Sequence, residues 1–110
     1  MTGNGLKGRV MKQIWSGNWS SGSITVPELP YYNVFVVAMI ENGVAPGIGV
    51  KSLANNTINF FSVSGSLSGP EARGVVAIVN GTRLEMTRNT GVIPGVQNLS
   101  NTISRIWGIL

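Results

Sequence analysis

The chain has no cysteine and no histidine, and its four acidic residues, Glu28, Glu41, Glu71 and Glu85, leave no aspartate. Without cysteine there are neither disulfides nor thiolate metal sites, and the redox compartment is unconstrained. Without histidine, Ser-His-Asp and Cys-His catalysis and the usual zinc sites are excluded. Without aspartate, EF-hand loops and Asp-held magnesium go too. Charge of either sign is scarce, at 11% of residues against a usual share of about 25%. Long apolar runs are also missing. The longest is Val34 to Ile40, far short of the roughly 20 residues of a membrane-crossing helix. Residues 1–13 have basic ends but no apolar centre of the secretory-signal kind. No membrane insertion, no metal and no cofactor are expected.

What remains is 43% hydrophobic, too apolar for a disordered chain. The 110 residues make one domain, 1–110, with residues 1–7 read as a flexible N-terminal segment. A domain of this size buries about two-thirds of its unfolded surface. Ser, Thr and Asn, 29 in all, must supply most of its polar surface. A surface with so few ionic groups is expected to be partly covered by other subunits. The net charge of +4 comes from eight dispersed cations whose only cluster is Lys7, Arg9 and Lys12. That is not the basic stripe of a nucleic-acid binder, and no nucleic-acid partner is expected.

Helical periodicity is nearly absent, and 15 glycines with five prolines interrupt every stretch. Short runs rich in Val, Ile, Thr and aromatics alternate with Gly, Asn, Pro or Ser breaks, the mark of strands and turns. Eight strands are read, over 8–15, 22–27, 31–41, 47–53, 57–67, 72–80, 82–88 and 102–109. Asn80-Gly81 suits the two central positions of a tight hairpin, after which Leu84 and Met86 alternate with Arg83, Glu85 and Thr87. "VFVVAMI" (34–40) and "VVAIV" (75–79) do not alternate, so both faces of those strands need cover. The last strand is likewise apolar on both sides and belongs inside a sheet or at a subunit seam. The fold class that follows is all-β, an antiparallel, jelly-roll-like sandwich.

Candidate chemistry is thin. A glycosidase needs two converging carboxylates. Glu28 and Glu71 instead sit beside prolines in turns, Glu41 ends a strand and Glu85 lies on a wet face. No catalytic residue is assigned. "GNGLKG" at 3–8 has the glycines of a phosphate loop without its strand and helix. The stretch "IWSGNWSSGSITVP" (14–27) is more informative. Trp15 reads as a strand-end aromatic covering the core. Trp19, among turn residues, is either an exposed face beside Asn18 for stacking on a sugar ring, or the cover of a strand edge or subunit seam. Tyr31 and Tyr32, after "PELP", offer a second aromatic corner. Asn18, Trp19, Tyr31 and Tyr32 are therefore the candidate ligand-binding residues.

"KQIWSGNWSSGSITVPELPYYNVFVV" (12–37) resembles the opening of a small β-rich domain of phage and prophage tail proteins. There a "lWsGsws.GsitL" phrase leads through a short aromatic loop to a hydrophobic strand. "SNTISRIWGIL" (100–110) is similar to the "itkIyGi" phrase that closes many such chains. The resemblance implies a tail-fibre, baseplate or receptor-binding accessory domain, often trimeric and sometimes host-binding. This chain lacks the shaft, collagen-like or coiled-coil segment of many fibre relatives. The expectation is thus a non-enzymatic virion structural protein made in the bacterial host cytoplasm. Its expected partners are copies of itself, a trimer above all, other virion proteins, and a host cell-surface glycan. The alternative is a cellular carbohydrate-binding or adhesion domain of jelly-roll fold, with an oligosaccharide hydrolase third.

Overall fold

The computed structural model describes residues 11–40, 43–66, 69–92 and 100–110; the segment 1–7 lies outside them. Eight strands appear: β1 (Met11–Trp19), β2 (Ser23–Thr25), β3 (Val34–Met39), β4 (Ala45–Lys51), β5 (Thr57–Ser66), β6 (Gly69–Asn80), β7 (Arg83–Val92) and β8 (Ile103–Ile109). A 3-10 turn, Leu29–Tyr31, lies between β2 and β3. All pairings are antiparallel, in one sheet of order β1-β8-β3-β4-β5-β6-β7-β2. The expected all-β antiparallel architecture is present, and β8 lies inside the sheet between β1 and β3.

The sheet curls because of its ends. β1 and β2 occupy opposite edges of the order, yet only residues 20–22 separate them. Three residues span at most about 14 Å, so the edges must come together and the sheet is nearly barrel-shaped. Two bulges in β1, between Gln13 and Trp15 and between Ser16 and Trp19, supply the extra twist that closure needs. They also explain why β1 runs on through Ser16, Gly17 and Asn18, where the sequence pattern suggests a break. The β6–β7 hairpin closes one residue later than expected. Asn80 pairs with Arg83 across Gly81-Thr82, and Gly81, at φ 62°, takes the left-handed position.

Strand alternation fills the interior. Phe35, Val37 and Met39 of β3, Ile58 and Phe60 of β5, Val75 and Ala77 of β6, and Ile103 and Ile106 of β8 are all buried. One end of the barrel is plugged by the 25–33 segment, whose Val26, Leu29 and Tyr32 are buried. Lys51 ties this plug to β4, its Nζ donating to the Leu29 carbonyl at 2.8 Å and lying 5.8 Å from the centre of the Phe35 ring.

The other end is polar. Ser62, Arg73 and Asn101 are buried there. Ser62 Oγ donates to the Pro46 carbonyl at 2.8 Å, and Arg73 Nη1 donates to Asn101 Oδ1 at 3.4 Å. Asn101 Nδ2 donates to the Thr90 carbonyl at 2.9 Å and to Asn89 Oδ1 at 3.0 Å. Asn89 Nδ2 also donates to the Ser20 carbonyl at 2.9 Å, which ties β7 to the β1–β2 corner. Burial of amides and a guanidinium is tolerated only when they are paired in this way.

Candidate functional site

The four residues singled out from the sequence do not form one site. Trp19 is not at a corner but ends β1 and is 1% exposed. Its indole stands edge-on to Trp15, with ring centroids 6.5 Å apart, and to Phe60 at 6.0 Å. Its Nε1 donates to the Gly22 carbonyl at 3.1 Å. Of the two readings of Trp19, its burial favours cover of the closing seam, since no ring face is open to a ligand. Tyr32 is 6% exposed and packs edge-on to Phe35, with its ring against Gly108. Asn18 and Tyr31 are exposed. Trp19 pairs with Ile103, at one end of β8, while Tyr32 covers Gly108 near the other. Five residues of strand, about 17 Å, separate the two corners.

The outer wall of the barrel is a better candidate. Outward-facing positions of β3, β4 and β5 form continuous rungs. Val36 pairs with Trp107 on one side and Ile48 on the other, and Ile48 pairs with Phe61. Beside this rung, Val34 pairs with Ile109 and with Val50. Ile48, Val50, Phe61 and Ile78 keep 43–47% of their surface in water. Val36, Pro46, Ile48 and Phe61 line a shallow groove, with Gly47 and Ser62 at its floor.

Among the described residues, no charged side chain lies on the outer face of β3 to β6. Lys51 turns to the plug, and Arg73 shares the inner face with Val75 and Ala77. The exposed charges stand elsewhere: Lys12 on β1, paired with Glu28 at 2.7 Å, Arg83, Glu85 and Arg88 on β7, and Arg105 on β8. The barrel thus has a neutral, apolar wall and a charged one. The two non-alternating runs in the sequence fall on the neutral wall, and that was the legible signal. The inward turn of Arg73 was missed, although it shares the parity of Val75 and Ala77.

No group of three or more His, Cys, Asp or Glu side chains among the described residues could hold a metal ion. No helix among them is long and apolar enough to cross a membrane. Compared with protein-family models, with curated protein sequences and with solved structures, the chain matches none.

Proposed function

We propose that this chain is a non-enzymatic structural module of a phage virion, of the tail, fibre or baseplate kind, that assembles as a homotrimer through its neutral wall and meets host-surface saccharide on the remaining surface. The observation that carries assembly is the outer face of β3 to β6, which bears no charged side chain among the described residues. The "IWSGNWSSGSITV" and "ISRIWGIL" phrases, which resemble phage tail domains, supply the virion context.

Copies carrying a net charge of +4 repel one another wherever like charges face. Contact through the neutral wall avoids that cost. Four strands of about six residues present about 400 Å² of wall. This lies within the range of apolar patches on free monomers and is less than the roughly 800 Å² per partner of a standard interface. The wall is also convex. Neighbouring strands of an eight-stranded barrel turn by about 45°, so one flat partner touches only a strip of it. Two neighbours around a threefold axis cover more, and this favours a trimer over a dimer.

Light scattering over a range of concentrations tests the reading. The expected mass is three times the 11.6 kDa of one chain. Ile48→Lys and Phe61→Glu, each on the outer wall, should return it to one chain with the fold intact, since exposed substitutions cost within about 0.5 kcal/mol. A single-chain mass at every concentration overturns the assembly.

A further inference from the structure

At the boundary between the two walls lies a concave site with a different character. It is bounded by Ser16 of β1, Ala38 of β3, Gly43 and Val44 of the following turn, and Arg105 and Trp107 of β8, and encloses about 490 Å³. Ser16 and Ala38 flank Arg105 in the ladder, so the guanidinium rises from the middle of three strands. Ser104 Oγ donates to the Gly43 carbonyl, which holds Gly43 at the opposite rim.

Three properties set this site apart. First, the Arg105 side chain makes no ion pair or hydrogen bond with any described residue, and it is exposed. Second, Trp107, two residues along the same strand, is half-buried and lines the same hollow. Its indole N–H has no partner among the described residues. Third, the described lining contains no carboxylate. The site therefore offers a planar, five-donor cation, an indole and the Ser16 hydroxyl, and none of its described residues is an acid that would neutralise the cation.

We infer that this hollow binds a carboxylate-bearing sugar. The guanidinium fork matches a carboxylate in a bidentate manner. Alternate residues of a strand share a face about 7 Å apart, which sets the indole where the sugar ring attached to that carboxylate would lie. A pyranose has an apolar face for the indole and hydroxyls for Ser16 and the backbone of Gly43 and Val44. Neither partner suffices alone: a neutral sugar leaves Arg105 unmatched, and a simple anion leaves Trp107 unused. The inference deepens the saccharide half of the reading above and is independent of the trimer.

The probe is D-glucuronate, followed by the indole N–H signals in nitrogen-15 NMR spectra, with Trp107→Phe assigning the Trp107 signal. D-glucose, acetate and inorganic phosphate serve as the comparison set. The expected result is a saturable shift of the Trp107 signal by glucuronate, with a Kd on the order of 1 mM, and at least about tenfold weaker binding of each comparison compound, a difference of about 1.4 kcal/mol. Arg105→Gln should weaken glucuronate binding about tenfold or more without changing Tm, because Arg105 is exposed. No saturation at about ten times that Kd overturns the inference. So does glucose, acetate or phosphate binding as tightly as glucuronate, or an Arg105→Gln protein that binds unchanged. Light scattering on the same samples separates the two proposals. A trimer that ignores glucuronate removes only this site, and a single chain that binds it removes only the assembly.

Discussion

The side-chain amide of Asn89 stands in for a peptide group opposite Asn101. Asn101 N–H donates to Asn89 Oδ1 at 2.8 Å, and Asn89 Nδ2 donates back to the Asn101 carbonyl at 2.8 Å, the reciprocal pattern of an antiparallel rung. Asn101 is fully buried, so removing its partner leaves donors and acceptors without water. Asn89→Ala is expected to cost about 2–4 kcal/mol, from more than one unsatisfied group at about 1–3 kcal/mol each. Asn89→Asp keeps the shape but sets a carboxylate oxygen against the Ser20 and Asn101 carbonyls. It should cost at least as much at neutral pH and recover on acidification, when the carboxyl proton restores a donor. Urea unfolding of the two variants at neutral and acidic pH checks this, and an Asn89→Asp protein as stable as the parent at neutral pH contradicts it.

The two aromatic corners respond differently to truncation. Trp19→Ala and Tyr32→Ala remove buried rings and should each cost about 3–5 kcal/mol, a large share of the roughly 5–15 kcal/mol that holds a domain together. Asn18→Ala and Tyr31→Ala remove exposed groups and should stay within about 0.5 kcal/mol. Thermal melting of the four variants provides the comparison. A Trp19→Ala protein melting like the parent would show that the indole does not hold the seam.

Gly108 permits the Tyr32 ring to lie flat on β8. A Cβ there would meet ring atoms at 2.5–2.6 Å, closer than carbon atoms approach. Tyr32 is wedged against Phe35 and has little room to retreat. Gly108→Ala should destabilise by about 1–3 kcal/mol, as overpacking does, and Gly108→Ala with Tyr32→Ala should cost less than the sum of the two. Chemical denaturation of the pair gives the coupling. Strict additivity would mean that the ring moves aside freely.

Alkaline pH separates the two tethers of the plug. Burial lowers the pKa of Lys51 below 10.5. Between that lowered value and 10.5, the unfolded chain still holds a proton that the folded chain has released, so this group makes stability rise with pH. The Glu28 hydrogen bond and its negative charge raise the pKa of Lys12 above 10.5. Its contribution is complete below 10.5 and fades as pH climbs through the raised value. In Tm profiles from about pH 9 to about pH 11.5, Lys51→Met should remove a rise and Lys12→Met should remove a fall. Added salt should weaken only the Lys12 contribution, which rests on an exposed ion pair. Parallel profiles for both variants would contradict the assignment.

The strands were legible because most carry runs of β-branched and aromatic residues bounded by turn residues, and those local preferences agree with the final sheet. "RLEMT" (83–87) shows this directly, with Leu84 buried while Arg83, Glu85 and Thr87 are exposed. Closure was not legible. Trp19 is buried because the two edges of the sheet meet beside it, and nothing within a few residues of it signals that meeting. The Asn89–Asn101 rung left no trace either, since a side chain that imitates backbone has no periodicity. Arg105 and Trp107 were visible as alternating neighbours, but Ser16 and Gly43 join them only through strands brought together from distant parts of the chain.

The position of β8 governs the order in which the molecule can form. β3 to β7 make a meander whose strands meet through nearby chain, whereas β8 pairs with β1 and β3 across sequence gaps such as Ile109 to Met11. Each of those partners is synthesised long before β8 exists. Until β8 arrives, β1 has no ladder and β3 bears an open flank that any extended segment could occupy. High-separation pairing of this kind slows folding. Where many copies are made together, the vacancy in one chain can be filled by the β8 of another, so strand exchange competes with self-closure at the last step.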